Sequence, residues 1–597
     1  MNEKTNKKPL CGLMVLALIF ILGGGYLADL IQTSGGVAIH DLRFMTNEGK
    51  VMSALLYVPK GVSQKNPAPG IVATHGYINS RETQDGFAIE FSRRGYVVLA
   101  IDQSGHGFSD PPSGGNGFGG IPALAYLRSL DFVDKNNIGL EGHSMGGWAS
   151  LKAAESNPDG YRSLILASSS TGTYGTKEGT PTFPRNTALI FSKYDEFSQL
   201  MWNSPIPGNI TKTDKLKKFF GTAENVEVGK LYGSIEEGTA RKLYQPSMVH
   251  PRVHFSTEAI GNAVEWMQAT LKGGKNLPPS DQIWYWKEFG TLIALIGMVL
   301  LLFPVGQFLL QGEFFKELNE TSPPRKSISG WGWWLGAVIT ILLPVPLYMK
   351  MWDFHGLGIL KASYFWPQTI TTVLMFWAMS VGLISLVLLL LWHFLSNQKT
   401  GASFVNYGFS WKDKGVEWRK IGKSFLLAVI VVFAAYLTLA FSDWAFKTDF
   451  RIWVFAIKPM SFFHFKIVLA YFIPFAFYFL ISGLVLHGQL RRGQGVEGDW
   501  AGWKEMLTNV VLMIGGYILY LAYQYTPLFS GGTAAVTTRW APLYSIVMFQ
   551  FLPIFTIAAL VSTYFYRRTG HVFVGSFINA MVVTWIVVAG EATHFPY

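Results

Sequence analysis

The chain has 597 residues, of which 50% are hydrophobic, 15% aromatic and only 15% charged, and its formal net charge is +11. Soluble proteins carry about 25% charged residues, so a wholly soluble fold does not fit, and neither does disorder, which needs low hydrophobicity with high net charge. Residues 1–280 hold 27 Lys+Arg against 24 Asp+Glu, whereas residues 281–597 hold 22 against 14, with 17 of the 20 tryptophans. The positive excess thus lies among apolar runs, which points to a membrane and not to nucleic acid.

The length suggests about two to four domains. Cys11 is the single cysteine, so an internal disulfide framework and a Cys-based zinc site are both excluded.

Lys4, Lys7 and Lys8 precede an apolar run over about 10–31. About 20 apolar residues are long enough to span a bilayer, and no small-residue cleavage pattern closes the run. It reads as an uncleaved anchor (residues 1–32), with a cleaved signal peptide as the alternative.

Residues 33–280 change character. Short apolar runs at 70–74, 97–101, 138–141, 163–167 and 187–191 read as buried parallel strands. Helical patterns at 83–94, 121–133 and 148–156 separate the first four, and 37–44 with 51–58 reads as an antiparallel edge of the same sheet. The expectation is an α/β domain, a mostly parallel sheet flanked by helices.

From Trp284 onward come eight apolar segments, near 284–310, 330–351, 367–395, 425–446, 464–487, 506–526, 541–566 and 570–590. They predict an all-α membrane domain over 281–597 and about nine spans in all. With the N-terminus cytoplasmic, the inward segments carry 17 Lys/Arg and the outward ones six, namely Lys350, Lys361, Lys447, Arg451, Lys458 and Arg539. That bias puts residues 33–280 outside the cytoplasm of the cell membrane.

The chemistry centres on Gly142-His143-Ser144-Met145-Gly146, a G-x-S-x-G pattern between an apolar strand and a helix. A strand–turn–helix this sharp requires small flanking residues and projects the serine oxygen above the sheet. The helix N-terminus behind it favours negative charge.

Three more segments complete a resemblance. Thr74-His75-Gly76-Tyr77 ends a strand, Asp102-Gln103-Ser104-Gly105-His106-Gly107-Phe108-Ser109 follows the next, and Ser192-Lys193-Tyr194-Asp195-Glu196 follows a late one. With the elbow, these make residues 37–272 resemble the α/β-hydrolase superfamily, nearest to its esterase, lysophospholipase and serine-aminopeptidase-like members.

The resemblance implies a Ser-His-Asp triad and an acyl-enzyme. Ser144 would be the nucleophile, needing an adjacent base, and a carboxylate would orient that base. Asp195 is expected as the acid, with Glu196 the alternative. His250 is expected as the base, with His254 the alternative, because the family's histidine lies several residues before the last helix. The backbone amides of Tyr77 and Met145 would form the oxyanion hole. His75, His106 and His143 are expected to brace loop backbones. No cofactor or metal is implied.

The expected activity is cleavage of an ester, thioester or amide, with acyl transfer or peptidase action as variants on the same triad. A different class remains open: a transporter or receptor-like membrane protein with a regulatory hydrolase-like domain. An amphiphilic or acylated substrate and membrane lipid are the expected partners, nucleic acid is not, and the oligomeric state is left open. Lys212, Lys215, Lys217 and Lys218 form either a solvated helix face or a contact for anionic headgroups. Asp353, His355, Asp443, His464, Glu591 and His594 fall on the hydrolase side of the spans, as a polar chamber or as ordinary interfacial residues.

Overall fold

The computed structural model describes residues 7–412, 414–492 and 502–596. Nine strands form one sheet: β1 (Ala38–Met45), β2 (Val51–Val58), β3 (Ala68–Thr74), β4 (Val97–Ile101), β5 (Val133–His143), β6 (Ser163–Ala167), β7 (Thr187–Ile190), β8 (Leu231–Tyr232) and β9 (Arg241–Tyr244). Their order is β1-β2-β4-β3-β5-β6-β7-β9-β8. β1 and β2 pair antiparallel, β2 joins β4 antiparallel, and β4, β3, β5, β6, β7 and β9 run parallel.

The central strands are buried on both faces, as helices covering both sides of a parallel sheet require. One helical expectation ran too far. The helix after β4 occupies Gly120–Ser129, and Val133 is already strand, paired with Ala68 across a register shift at Pro69/Gly70. The apolar run 121–133 therefore joins a helix to a strand, and periodicity alone cannot separate the two. The edge strand β8 is only two residues long and had no sequence signal.

Nine helices among the described residues are long and apolar enough to cross a membrane: Leu10–Gln32, Trp284–Gln311, Gly330–Gly356, Thr369–Leu395, Trp418–Phe446, Phe462–Gln489, Gly502–Phe529, Ala541–Thr569 and Phe573–Gly590. The first and second pack backbone to backbone. A Cβ on Gly24 would lie 2.4 Å from the Gly290 carbonyl, and one on Gly297 would lie 2.7 Å from that of Ala17. Small residues allow this approach, which dispersion rewards where lipid offers no hydrophobic gain.

A small hairpin, β10 (Phe450–Ile452) and β11 (Phe455–Ile457), joins the fifth and sixth spans. It is pressed against the α/β domain. Arg451 donates to Thr83 Oγ1 (2.8 Å) and Ser80 Oγ (3.1 Å), and Trp453 Nε1 donates to the Pro251 carbonyl at 2.9 Å. These contacts seat the sheet's C-terminal edge over the ends of the spans.

Candidate active site

The elbow is built by backbone necessity. β5 ends at His143, a helix begins at Met145, and Ser144 between them has φ 53° and ψ −118°. Such a conformation costs of order 1–3 kcal/mol and persists only where the surroundings over-determine it. Here Ser144 N–H donates to the Ala167 carbonyl (2.8 Å), and its own carbonyl accepts from Ser169 Oγ (2.7 Å). A Cβ on Gly142 would meet the Gly146 carbonyl oxygen at 2.1 Å, and one on Gly146 would meet that of Thr74 at 2.0 Å. Both positions admit only glycine.

Asp195 follows β7 on a turn and is fully buried. His250 opens a 3-10 turn, His250–Phe255, before the last helix of the domain, Thr257–Thr270. His250 Nδ1 lies 3.0 Å from each oxygen of Asp195. A carboxylate can only accept, so Nδ1 carries the proton and Nε2 keeps its lone pair. Burial opposes a charge on His250, but the Asp195 charge and hydrogen bond, with the Glu196 charge, outweigh it and raise its pKa. Ser144 Oγ makes no hydrogen bond to a described residue, which is common in a free enzyme whose catalytic contacts tighten with substrate.

His254 is placed otherwise. Both ring nitrogens are buried without a partner, and the ring stands edge-on to His143 at 4.7 Å. Burial, aided by the Arg451 charge, lowers its pKa to about 3. It is a neutral packing residue that makes no hydrogen bond to Asp195.

The other histidines brace loops. His75 Nδ1 bonds the Gly76 carbonyl (2.6 Å), while Nε2 accepts from Gln103 N–H (3.0 Å). His106 Nδ1 bonds the Ser104 carbonyl and His143 Nε2 that of His250, each at 3.1 Å. Asp102 locks its own loop by accepting from the amides of Arg81 (2.9 Å) and Phe108 (3.1 Å).

The Tyr77 and Met145 amides donate to no described backbone group. The Tyr77 side chain does have a partner: its hydroxyl is 2.9 Å from His594 Nε2, beyond the last span. Glu196 has two. It accepts from the His250 backbone amide (2.8 Å) and from the Tyr525 hydroxyl of the seventh span (2.7 Å). Burial, reinforced by the Asp195 charge, pushes the Glu196 pKa to about 7.

Ser144, Met145, Tyr77, Trp148 and Phe197 line one side of a cavity of about 870 Å³. Its other side comes from the membrane half, with Trp352, His355, Ile370, Leu528, Trp540 and His594. Aromatic and aliphatic walls with a few polar groups suit a small-molecule site. Of the six ionisable residues expected on the outer side, only His355 and His594 reach it. Glu591 is buried with Oε2 unpartnered and its pKa pushed to about 8 by burial. His464 caps its own helix, and Asp353 pairs with Lys350 at 3.5 Å on the surface. The six therefore do not share this cavity. The basic stretch also divides: Lys215 bends to the Met201 carbonyl (2.7 Å), while the following Phe219 and Phe220 are buried in the domain core.

Sequence reasoning flagged His594 by its charge but had no signal for Tyr525, one tyrosine among many at span ends. Arg451 counted only as an outward loop cation. Its partners in space, Asp449 and the Ser80–Thr83 turn, could not be read from spacing.

The mixed sheet flanked by helices, with a strand–turn–helix elbow after its central strand, gives this part of the chain the α/β-hydrolase fold. Residues 65–194 match the family model described as serine aminopeptidase, S33. That span ends one residue short of Asp195. No curated protein matches the chain. Among solved structures, a CIB-like hydrolase of Thermoplasma acidophilum is 19% identical, covering 38% of this chain and 96% of its own, with a TM-score of 0.27. A bacterial heroin esterase is 16% identical over 42% of this chain and 89% of its own, TM-score 0.31. An esterase of Pyrococcus furiosus is 15% identical over 40% and 94%, TM-score 0.30.

Proposed function

We propose that the protein is a membrane-embedded serine hydrolase that cleaves an ester, thioester or amide of an amphiphilic substrate, with Ser144, His250 and Asp195 as its triad. The observation that carries this reading is the Asp195–His250 pair, set beside a serine held at positive φ on a glycine-flanked elbow. A buried aspartate bonded to Nδ1 leaves Nε2 as an acceptor, which a serine nucleophile requires.

In the reaction, Ser144 Oγ attacks the substrate carbonyl carbon while its proton passes to His250 Nε2. The carbonyl π electrons move to oxygen, and the Tyr77 and Met145 amides stabilise that oxyanion. The intermediate collapses, and the leaving alcohol, thiol or amine takes the proton from Nε2. Water then repeats the sequence on the acyl-enzyme and releases the acid. A different acceptor in place of water would make the product an acyl transfer.

The cavity, half of whose wall belongs to the membrane domain, supports this substrate class. An acyl chain or lipid tail suits the aromatic and aliphatic side, and the scissile group sits at Ser144. The hydrolase domain faces outward in this reading, from the basic bias of 17 against six. The burial of Arg451 and Lys458 supports it, since two of the six outward cations are bound up at the domain contact.

The test is labelling of the full-length protein by a fluorophosphonate. Labelling that vanishes in Ser144→Ala, in protein that still runs as a folded species, is the expected result. Wild-type protein that does not label would remove the enzyme reading and favour a binding or transport role.

A further inference from the structure

We infer that Tyr525, a membrane-span residue, positions the catalytic base, its hydroxyl holding Glu196 and Glu196 in turn holding the backbone of His250. The inference rests on the triad reading above and adds to it a residue from the other half of the chain. It makes the seventh span a part of the active site.

The geometry is a continuous chain of donors and acceptors. Tyr525 Oη donates to Glu196 Oε1 at 2.7 Å, and the His250 amide donates to Glu196 Oε2 at 2.8 Å. The neighbouring Asp195 carboxylate grips the same histidine through Nδ1. One loop therefore holds His250 twice, by its ring and by its backbone. The span holds that loop.

The tyrosine is itself well held. Its ring is buried, tilted against Phe549 at 5.2 Å and Phe529 at 5.7 Å, and Phe529 packs edge-on to Tyr194 at 5.4 Å. A rigid donor on a span is a better support than a mobile loop. The expense of burying a second carboxylate beside Asp195 also calls for a role. Ordinary packing would be served by an amide or an apolar side chain, neither of which would share Asp195's pull on the imidazolium.

Two consequences separate positioning from mere packing. Removing the hydroxyl should slow acylation more than it weakens binding, because the base moves while the cavity wall remains. Its effect should also vanish once Glu196 can no longer relay it.

The experiment uses full-length protein in detergent or bilayers and compares wild type, Y525F, E196Q and the double variant. Fluorophosphonate labelling rate and steady-state hydrolysis of a p-nitrophenyl ester are read together, with size exclusion to count folded protein. Y525F and E196Q are each expected to lower the labelling rate and kcat roughly tenfold, with KM within about twofold of wild type. The double variant should be no slower than E196Q alone.

Wild-type rates in Y525F, multiplying effects in the double variant, or a loss confined to KM would each overturn the inference while leaving the triad intact. Should Y525F not fold, E196Q alone decides by the same kcat-against-KM division. Failure of wild type to label is a different outcome, and it overturns the triad reading and this inference together.

Discussion

Tyr77 and His594 stand 517 positions apart in the chain, yet the tyrosine hydroxyl and His594 Nε2 are 2.9 Å apart. The flanking backbone closes the same contact, with Thr593 N–H donating to the Gly105 carbonyl (2.8 Å) and Ser113 N–H to that of Thr593 (2.7 Å). The C-terminal segment thus clips the loop of Tyr77 and the loop after β4 together. Burial lowers the His594 pKa to about 4, so at neutral pH it is an uncharged hydrogen-bond partner for the phenol.

His594→Ala should therefore loosen the loop that presents the Tyr77 amide. Losing one oxyanion donor outright costs about 10²–10³ in kcat, and a merely loosened one should cost less, roughly 3- to 30-fold. Steady-state kinetics at pH 7 to 8 checks this. A variant indistinguishable from wild type would show that the clip has no catalytic weight.

The two candidate bases should separate cleanly. His250→Ala should lose on the order of 10³-fold or more in kcat, as should Asp195→Asn, which would hold the wrong tautomer. His254→Ala should retain labelling by the fluorophosphonate within about tenfold but melt at lower temperature, since it leaves a hole against His143. The reverse ranking would reassign the base.

The pH dependence has a definite sign. His250 must be neutral to accept the serine proton, and its pKa is raised above the ordinary value of 6.5. kcat/KM should therefore fall as the medium is acidified through a limb lying above pH 6.5. In stability the same pair works oppositely: the contribution is complete below the unfolded histidine's pKa and is lost as pH rises through the folded one. Activity and this increment of stability should move in opposite directions with pH, which parallel rate and melting measurements would reveal.

Arg451 carries the domain contact. It lies buried against Asp449 and 3.8 Å from Glu82, and Glu82 is 3.0 Å from Arg81. Burial would raise the Glu82 pKa, but the charges of Arg81 and Arg451 overcome it and hold it well below the ordinary carboxylate range. Arg451→Ala leaves the buried Asp449 without its ion-pair partner, while Glu82 keeps Arg81; stranding a buried charge typically costs about 3–5 kcal/mol. Thermal unfolding in detergent should show the loss. Because Glu82 is depressed, its stabilisation is present above the unfolded carboxylate's pKa and disappears as pH falls below it.

At the elbow, Gly146→Ala would drive a Cβ to 2.0 Å from a carbonyl oxygen of β3. Backbone cannot yield there without breaking the sheet, so the expected result is little folded protein and no labelling. Labelled, monodisperse Gly146→Ala would refute the account of why the site needs glycine.

How far the site was legible depended on the range of each interaction. Gly142, Ser144 and Gly146 could be read directly, because the sharp turn is a local steric demand that only certain residues meet. Asp195 was legible as the first acid after a late apolar run. The base was legible as one of two histidines four positions apart, with His250 preferred through the resemblance because it lies several residues before the last helix. Nothing in the flanking residues says which one turns toward the acid. The nine apolar segments were found to within a few residues, except that the fifth starts at Trp418, seven positions before its apolar stretch, because a helix can carry Arg419, Lys420 and Lys423 into the headgroup region.

Sequence by itself determined the division of the chain into a balanced α/β part and a basic, apolar part, because both follow from composition and short periodicities. It likewise determined the elbow and the serine at its tip. Only tertiary structure decided that His250 and not His254 meets Asp195, that the spans wall the cavity with His594 reaching into it, and that Tyr525 meets Glu196. Those contacts join residues up to 517 positions apart, and packing of this range leaves no periodic trace along the chain.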